Sequence, residues 1–218
     1  MMDKLKISAY LLKIIAMTTM LIDHIGALLF PQFIFLRIIG RISFPIYAFL
    51  IGEGCQKTRN KKKYLLNISI TFAAFQCVQY LIDKSFSLCV LFGFMLSVAF
   101  AMVWEWSIKD IRMRFWAPTA AFLLFLIITT ALPTSYSMFS FILPVISYII
   151  KQKQIRFCMF ATILIALSFF YQLQAYALLA LIPLLMYNGE RGRASGKYFF
   201  YAFYPLHYAV LGIIAALT

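Results

Sequence analysis

Two ionisable residues stand side by side within an apolar stretch near the start of the chain. Asp23 and His24 lie in the run 13–26, which is otherwise mostly aliphatic. An acid at the centre of a membrane helix costs about 3 kcal/mol on the insertion scale, so it indicates a function or a charged partner. A neutral imidazole can accept a proton near neutral pH, which suits general-base catalysis. Asp23 and His24 are therefore the first functional candidates.

Two arginines follow in the next apolar segment. Arg37 and Arg41 are four residues apart, so they share one face of a helix. A hairpin would bring them to Asp23, and we expect an ion pair between Asp23 and an arginine. Adjacent helical residues diverge by about 100°, so Asp23 is badly placed to hold the neighbouring ring, and His24 is available as a base. For Arg37 alone, extension of the side chain to the lipid headgroups is an equal alternative.

Two further ionisable residues interrupt apolar segments. Glu53 stands between glycines beside a basic loop, where we expect it mainly to mark the end of a helix. His207 lies early in the last apolar segment with Tyr204 close by, and a functional role and hydrogen-bonded packing have equal weight. We expect His207 nearer the cytoplasmic side and His24 in the outer half of the membrane.

Composition places these residues in a membrane protein. The chain has 218 residues, of which 64% are hydrophobic and 12% are charged, whereas soluble domains are about 25% charged. The net charge of +13 would suggest a nucleic-acid partner in a soluble chain, but the positive-inside rule explains it better here. The four cysteines are scattered, and we expect packing residues that form neither a disulfide nor a metal site.

Apolar segments recur along the whole chain. They predict an all-α, polytopic transmembrane helix bundle with about nine spans, or about eight if one pair is re-entrant. The predicted helices cover residues 8–30, 35–55, 64–82, 86–106, 116–132, 137–150, 157–171, 174–187 and 199–218. The helix over 157–171 is expected to be short. The first segment lacks a small-residue cleavage pattern, so we interpret it as a retained helix rather than a signal peptide.

The distribution of basic residues predicts the orientation. With a cytoplasmic N-terminus, every strongly basic loop lies inside, as the positive-inside rule favours. These basic segments are 57–63, 109–114, 151–156 and 190–197. No linker is long enough to divide the chain, so residues 1–218 are expected to form a single domain in the cell membrane.

Several blocks of residues resemble the TraX family. In the first half they are Asp-His-Ile-Gly at 23–26 and the block 37–45. In the second half they are 187–192, 197–201 and Phe-Tyr-Pro-x-His at 203–207. The resemblance covers nearly the whole chain in the same order, and the chain departs from the family pattern at 75–78 and 134–137.

The resemblance implies acyl transfer at a bacterial inner membrane. The family is named for a conjugative-pilus protein that acetylates the pilin N-terminus, and it looks related to multi-pass acyltransferases that modify cell-surface glycans. It implies one acyltransferase domain that takes acetyl-CoA as the acyl donor. The expected partners are membrane lipid and an amine or hydroxyl acceptor on a membrane-anchored protein or glycan, with no nucleic acid.

The resemblance and the residue chemistry together give a set of site candidates. The expected catalytic residues are Asp23, His24, Arg41 and His207. The expected substrate-binding residues are Arg37, Glu53, Tyr204, Asn188 and Arg191. Basic residues around 57–63 and 191–197 are expected to bind the phosphates of coenzyme A, although the positive-inside rule also accounts for them.

Two other functions remain open. A proton-coupled transporter would use Asp23, His24 and Arg41 as a relay, but the chain shows no internal repeat. A pilus or envelope assembly factor would keep the fold without catalysis. In the acyltransferase, the acetyl group has to pass from a cytoplasmic donor to an acceptor in the outer half of the membrane.

Overall fold

The computed structural model describes residues 6–84, 86–193 and 196–217, and within these ranges the chain is all-α. The α-helices are α1 (Ala9–Leu28), α2 (Ile34–Gly40), α3 (Ser43–Lys57), α4 (Lys61–Asp83), α5 (Leu91–Ser107), α6 (Met113–Ala131), α7 (Phe139–Ile149), α8 (Lys153–Phe170), α9 (Leu181–Leu185) and α10 (Lys197–Leu217). A 3₁₀ helix, Gln172–Ala180, lies between α8 and α9.

Among the described residues, six helical segments are long and apolar enough to cross a bilayer. They are α1, the pair α2 and α3, α4, α6, α8 and α10 from Tyr198 onward. Three shorter apolar segments are α5, α7 and the stretch Gln172–Leu185. Each predicted segment therefore corresponds to helical structure, and the chain is a membrane protein.

The predicted second helix is broken rather than continuous. α2 ends at Gly40, Arg41 is its C-cap, and α3 starts at Ser43. Pro45 has no N–H to donate to the carbonyl of Arg41, and its ring crowds that carbonyl. A proline is tolerated in the first turn of a helix, so a new helix starts just before it. The prediction of one helix over 35–55 was wrong on this point.

α8 is longer than predicted. It starts at Lys153 and has 18 residues, which is enough to cross the hydrophobic layer. The expectation of a short helix over 157–171 was wrong because part of the basic segment 151–156 belongs to the helix. Long cationic side chains can lie at a helix end while their methylene groups cover apolar surface.

The first half of the segment predicted as an α-helix over 174–187 belongs to a 3₁₀ helix, and α9 follows it. Its buried residues are Gln174, Ala177 and Ala180, whose spacing of three matches the repeat of a 3₁₀ helix. Runs of 3₁₀ helix longer than about four residues are uncommon, and this one has nine. These three residues form a narrow buried ridge along the 3₁₀ helix. Which residues become buried depends on tertiary packing, and the apolar pattern of the sequence does not reveal it.

The chain forms two compact units. The first contains the residues up to Leu50 and those from Lys153 onward, and the second contains the residues from Ile51 to Gln152. In the first unit, α1 packs against α2 and α10, and α8 packs against the 3₁₀ helix. In the second unit, α5 packs against α4, α6 and α7. The second unit has a core around the buried residues Phe100, Phe141 and Val145.

The start of α1 is fixed by the segment before α10. The backbone N–H groups of Ala9 and Tyr10 donate to the carbonyls of Glu190 and Arg191 at 2.9 Å and 3.1 Å. These N–H groups have no partner inside their own helix, so the segment satisfies donors that would otherwise need water. α1 therefore has a defined start, from which its functional candidates are positioned.

Candidate functional site

Asp23 lies between both arginines of the neighbouring segment. Its Oδ2 atom accepts a hydrogen bond from Arg37 Nη1 at 3.0 Å, and the same nitrogen donates to the Asp23 backbone carbonyl at 3.0 Å. The other carboxylate oxygen, Oδ1, accepts from Arg41 Nη2. Asp23 and Arg41 are 9% and 7% exposed. The predicted ion pair is confirmed, with two arginines on the carboxylate.

Glycines allow α1 and α2 to approach each other closely. A Cβ atom at Gly40 would overlap the Asp23 carboxylate. A Cβ atom at Gly26 would come within 2.7 Å of Leu36 Cβ. Small residues at helix crossings are typical of membrane proteins, where close backbone approach gives the packing energy. The glycine of the block 37–45 thus makes room for the carboxylate that the arginines bind.

A charged cluster is formed by Asp23, Arg37 and Arg41. It has a net positive charge, and some of its hydrogen-bond donors have no partner among the described residues. Two arginines (+2) and one aspartate (−1) give a net charge of +1. Arg41 also donates from Nε to the Arg37 carbonyl at 3.1 Å. Arg37 uses only Nη1, so its Nε and Nη2 atoms have no hydrogen-bond partner among the described residues. Its side chain is 28% exposed, so these donors can reach a ligand.

The chain has two histidines, and they contact each other. His24 Nδ1 of α1 lies 2.6 Å from His207 Nε2 of α10. The ring planes are inclined by 11° and the centroids are 4.9 Å apart. That separation is close to the N–N distance plus a ring radius on each side, so the imidazoles meet edge to edge in one plane. The expectation of different depths was wrong, because α10 packs along α1 and brings both rings into one site.

The hydrogen bonds determine the tautomers of the two neutral imidazoles. His207 Nδ1 lies 2.7 Å from the Phe203 carbonyl oxygen. Since a carbonyl only accepts, His207 Nδ1 carries the proton and His207 Nε2 is an acceptor. His24 Nδ1 must then donate to His207, which leaves His24 Nε2 unprotonated. No described residue donates to that nitrogen, so His24 has the form that a general base requires.

Tyrosines surround the histidine pair. Tyr208 meets the ring of His24 edge to face, with centroids 5.1 Å apart. Tyr204 meets the ring of His207 at 6.1 Å and lies 6.4 Å from Tyr47 of α3. Tyr204 and Tyr208 are buried. Tyr204, predicted to bind substrate, therefore lies beside the imidazoles in a site that is largely closed to water.

Glu53, also predicted to bind substrate, has an ion pair along its own helix. It is buried in the second unit and forms an ion pair with Lys57 at 2.9 Å, one turn later on α3. The spacing of four residues along one helix explains the pair. The expectation that Glu53 marks a helix end agrees with the end of α3 at Lys57.

Asn188 and Arg191 lie at the other end of α1 from His24. The Asn188 side chain donates to Glu190 at 3.0 Å, and Arg191 is exposed. Both belong to the segment that binds the start of α1. His24 comes 15 residues after Ala9, which corresponds to about 22 Å along the helix. Neither side chain can touch a group that is bound to His24 Nε2 unless that group is long.

The two segments that depart from the family pattern contact one connection in the second unit. Gln76 donates to the Ser87 carbonyl at 2.8 Å and accepts from the Cys89 N–H at 3.3 Å. Leu88 forms an isolated bridge with Thr134. These departures therefore affect how helices are connected within the second unit.

Sequence reasoning missed the bond between the histidines. A signal was present, because the chain has two histidines and each lies in an apolar helix. A buried polar ring needs a hydrogen-bond partner, and a second imidazole can supply one. The role of Gly40 was missed as well, since the approach of Asp23 depends on how α1 and α2 cross.

Comparison with known proteins gives one family. The family model of the TraX protein matches residues 8–215. The chain is 27% identical over 230 residues to the "Probable fimbrial assembly protein FimC, serogroup H1" of Dichelobacter nodosus, and the match covers 94% of each chain. It is 50% identical over 42 residues to the "Uncharacterized protein RP591" of Rickettsia prowazekii (strain Madrid E), which covers 19% of this chain and 17% of that protein. No solved structure matches.

Proposed function

Because this chain belongs to the TraX family, we propose that it is a membrane-embedded acyltransferase that moves an acetyl group from acetyl-CoA to an amine or hydroxyl acceptor. The observation that carries the proposal is the unprotonated Nε2 atom of His24, which the bond to His207 maintains. The next residue, Asp23, belongs to a cluster with a net positive charge. A base and a nearby positive charge are what acyl transfer requires of a protein.

The reaction balances with the groups of this chain. His24 Nε2 takes the proton of the acceptor O–H or N–H while the acceptor atom bonds to the thioester carbonyl carbon. The carbonyl oxygen gains negative charge, which the buried cation Arg41 stabilises. The C–S bond then breaks, the thiolate leaves with the bonding electron pair, and the His24 imidazolium returns the proton to it. The products are the acetylated acceptor and free coenzyme A.

His207 and Asp23 act through their neighbours in this scheme. His207 accepts from His24 Nδ1 and thereby keeps the proton off Nε2. Asp23 holds Arg41 and one side of Arg37 in place. Tyr204 and Tyr208 limit the access of water, which would otherwise compete with the acceptor for the thioester.

The proposal includes a topology in a bacterial inner membrane. It has about nine spans, a cytoplasmic N-terminus and one domain that contains both compact units. In this topology Asn188 and Arg191 face the cytoplasm, where Arg191 can bind a phosphate of acetyl-CoA. His24 lies about 22 Å away along α1, so the donor has to extend along the first unit to present its thioester.

The test is acetyl transfer by the purified protein. Wild-type protein in lipid nanodiscs is mixed with radiolabelled acetyl-CoA and with membranes from cells that lack a family member, and labelled acceptor is separated from coenzyme A. We expect transfer by the wild type, loss in His24→Gln, and normal transfer in Cys77→Ala, which changes an exposed residue of the second unit. Undiminished transfer in His24→Gln would remove His24 from the mechanism.

A non-catalytic role in fimbrial assembly is the second candidate. It is favoured by the name of the Dichelobacter nodosus relative, which refers to fimbrial assembly. The two roles are distinguished in cells whose own family member has been deleted. Restoration of surface fimbriae by His24→Gln to the wild-type level, without acceptor acetylation, would support the assembly role.

A further inference from the structure

The geometry points to the chemical class of the acceptor: the free side of the Arg37 guanidinium binds the phosphate of an anionic lipid, whose apolar part lies on the turn between α1 and α2. This inference rests on the proposed function for calling the lipid an acceptor. The binding site itself rests on the contacts of Arg37, the charge of the cluster and the exposure of the turn.

Arg37 is held by one of its three nitrogens, and the other two have no hydrogen-bond partner among the described residues. Its Nη1 atom is bound to the Asp23 carboxylate and carbonyl at 3.0 Å each, which fixes the plane of the guanidinium. The Nε and Nη2 atoms point along the other side and have no partner among the described residues. Two parallel N–H donors in this arrangement match two oxygens of a phosphate or carboxylate. The side chain is 28% exposed, so a ligand can reach them.

The charge of the cluster favours a singly charged anion. Asp23 compensates one arginine, and a net charge of +1 remains. A phosphate diester carries one negative charge and would neutralise it. An anion at Arg37 offsets part of this charge in a site that is partly shielded from water, so the bound phosphate also stabilises the site.

The turn before Arg37 presents an apolar surface. Phe30, Phe33 and Phe35 are 43%, 46% and 53% exposed. Their rings contact one another, with centroids 6.1 Å apart for Phe30 and Phe33 and 5.9 Å apart for Phe33 and Phe35. Phe33 is the N-cap of α2 and lies four residues before Arg37, so its ring and the guanidinium lie on the same side of this helix start, and Phe30 and Phe35 contact Phe33. A headgroup at Arg37 therefore brings its acyl chains onto these rings, whereas a soluble anion would leave them uncovered.

The experiment measures lipid binding and needs no acetyl transfer. Full-length protein in detergent micelles is titrated with phosphatidylglycerol or phosphatidylcholine, and bound lipid is counted by native mass spectrometry. We expect the wild type to prefer phosphatidylglycerol. Arg37→Lys keeps the charge and can still pair with Asp23, but it loses the paired donors, so the affinity for phosphatidylglycerol should fall about tenfold.

Matched variants separate this site from general attraction to a basic protein. Lys84→Gln removes one exposed cation of the second unit and should change the affinity by less than about twofold. Phe33→Ser should lower the affinity for both lipids and keep the preference for phosphatidylglycerol, because in this proposal Phe33 contacts the acyl chains. Soluble glycerol phosphate at the same concentration should not displace the lipid.

Three outcomes would overturn the inference. The first is an equal affinity for phosphatidylglycerol in wild type and Arg37→Lys. The second is displacement of the lipid by glycerol phosphate at the same concentration. The third is a loss of phosphatidylglycerol affinity in Lys84→Gln that is as large as in Arg37→Lys. Lipid binding that depends on Arg37, in a protein that transfers no acetyl group, would refute the proposed function and keep the site. Acetyl transfer by a protein whose lipid binding does not depend on Arg37 would refute the lipid site and leave the proposed function in place.

Discussion

In the first unit, the half-buried residues His24 and Arg37 keep hydrogen-bonding atoms that no described residue uses, whereas in the second unit Ser97 and Gln56 use their polar atoms to hold helices together. His24 Nε2 and the Nε and Nη2 atoms of Arg37 are of the first kind. Ser97 of the second unit is of the other kind, because its Oγ atom lies 2.8 Å and 3.0 Å from the carbonyls of Gly93 and Phe141. Asn67 Nδ2 and Gln79 Oε1 of the second unit also have no partner among the described residues, so an unused atom indicates a ligand site only where other charged or titratable groups lie beside it, as at His24 and Arg37.

Gln56 shows how the second unit uses a polar side chain. Its Nε2 atom donates to the carbonyls of Ser147 and Tyr148 at 2.8 Å each, which ties α3 to the end of α7. Such bonds satisfy carbonyls that a helix end leaves without a partner. We therefore expect substitutions in the second unit to act through stability, and substitutions in the first unit to act on acetyl transfer as well.

The largest expected effect is that of the histidine pair. His24→Gln should lower the rate of acetyl transfer by a factor of about 10²–10⁴, the usual contribution of a general base. His207→Ala should lower it less, because His24 keeps its ring and loses only the partner that selects its tautomer. The double variant should be no slower than His24→Gln alone, because the two residues act as a unit. Additive losses in initial rates with labelled acetyl-CoA would show that the histidines work independently.

Removal of the Asp23 carboxylate should have the next largest effect. Asp23→Ala removes the carboxylate that accepts from the buried Arg41 and should destabilise the protein by about 3–5 kcal/mol. The matched change in the second unit is Glu105→Gln, which breaks the ion pair with Lys61 at 2.7 Å. The Glu105 side chain is 51% exposed but that of Lys61 is 9% exposed, so a nearly buried cation loses its carboxylate and we expect a loss of about 1–3 kcal/mol, smaller than for Asp23→Ala.

Unfolding of both variants in denaturant, at equal detergent concentration, measures this difference. Similar losses in free energy of unfolding for Asp23→Ala and Glu105→Gln would show that the charged cluster of the first unit is not more tightly bound than a pair with one exposed partner. The variant Arg37→Lys, which keeps a cation beside Asp23, should lie between them in stability.

Alanine substitutions at two glycines, one in each unit, test whether a change in the first unit affects both stability and acetyl transfer while a change in the second affects stability alone. A methyl group at Gly40 would overlap the Asp23 carboxylate, and one at Gly93 would overlap Ser140. Each alanine substitution should lower the free energy of unfolding by about 1–3 kcal/mol, as overpacking usually does. Gly40→Ala should also slow acetyl transfer because it displaces Asp23, whereas Gly93→Ala should leave the rate per folded molecule unchanged. Equal rates in the two variants would remove the carboxylate position from the mechanism.

The helices and the arginine cluster could be predicted from the sequence for physical reasons. Apolar length determines where a chain can cross a bilayer, and a membrane acid needs a cation, so Asp23 and Arg41 could be paired from their spacing alone. Pro45 could also have been used to predict the break after α2, because its ring excludes a continuous helix. The prediction over 35–55 did not apply that rule.

The remaining features depend on tertiary packing. His24 and His207 are 183 residues apart, and their bond exists because α1 packs against α10. The 3₁₀ geometry of Gln172–Ala180 depends on a ridge of buried residues at every third position, which an apolar segment hides. The tautomer of His24 follows from a backbone carbonyl one turn away from His207, and no residue pattern encodes that contact.

Gln174 gives the smallest expected effect and extends the comparison to the 3₁₀ helix. Gln174 is 4% exposed, and its Oε1 atom has no partner among the described residues. Gln174→Leu removes this unsatisfied acceptor at similar volume, so the free energy of unfolding should rise by about 1 kcal/mol. Gln172 is exposed on the same helix, and Gln172→Leu should change stability by less than about 0.5 kcal/mol.

Thermal unfolding in nanodiscs, together with the rate of acetyl transfer, shows whether Gln174 keeps an atom for a ligand or holds helices together. The 3₁₀ helix packs against α2, which carries Arg37, so an unused oxygen there can belong to the ligand site. A more stable Gln174→Leu protein with slower transfer would place Gln174 with His24 and Arg37, among the side chains that keep atoms free for a ligand. A less stable variant would contradict the expected gain and show that the oxygen has a partner in the folded protein, because only a lost hydrogen bond makes the apolar residue the worse choice.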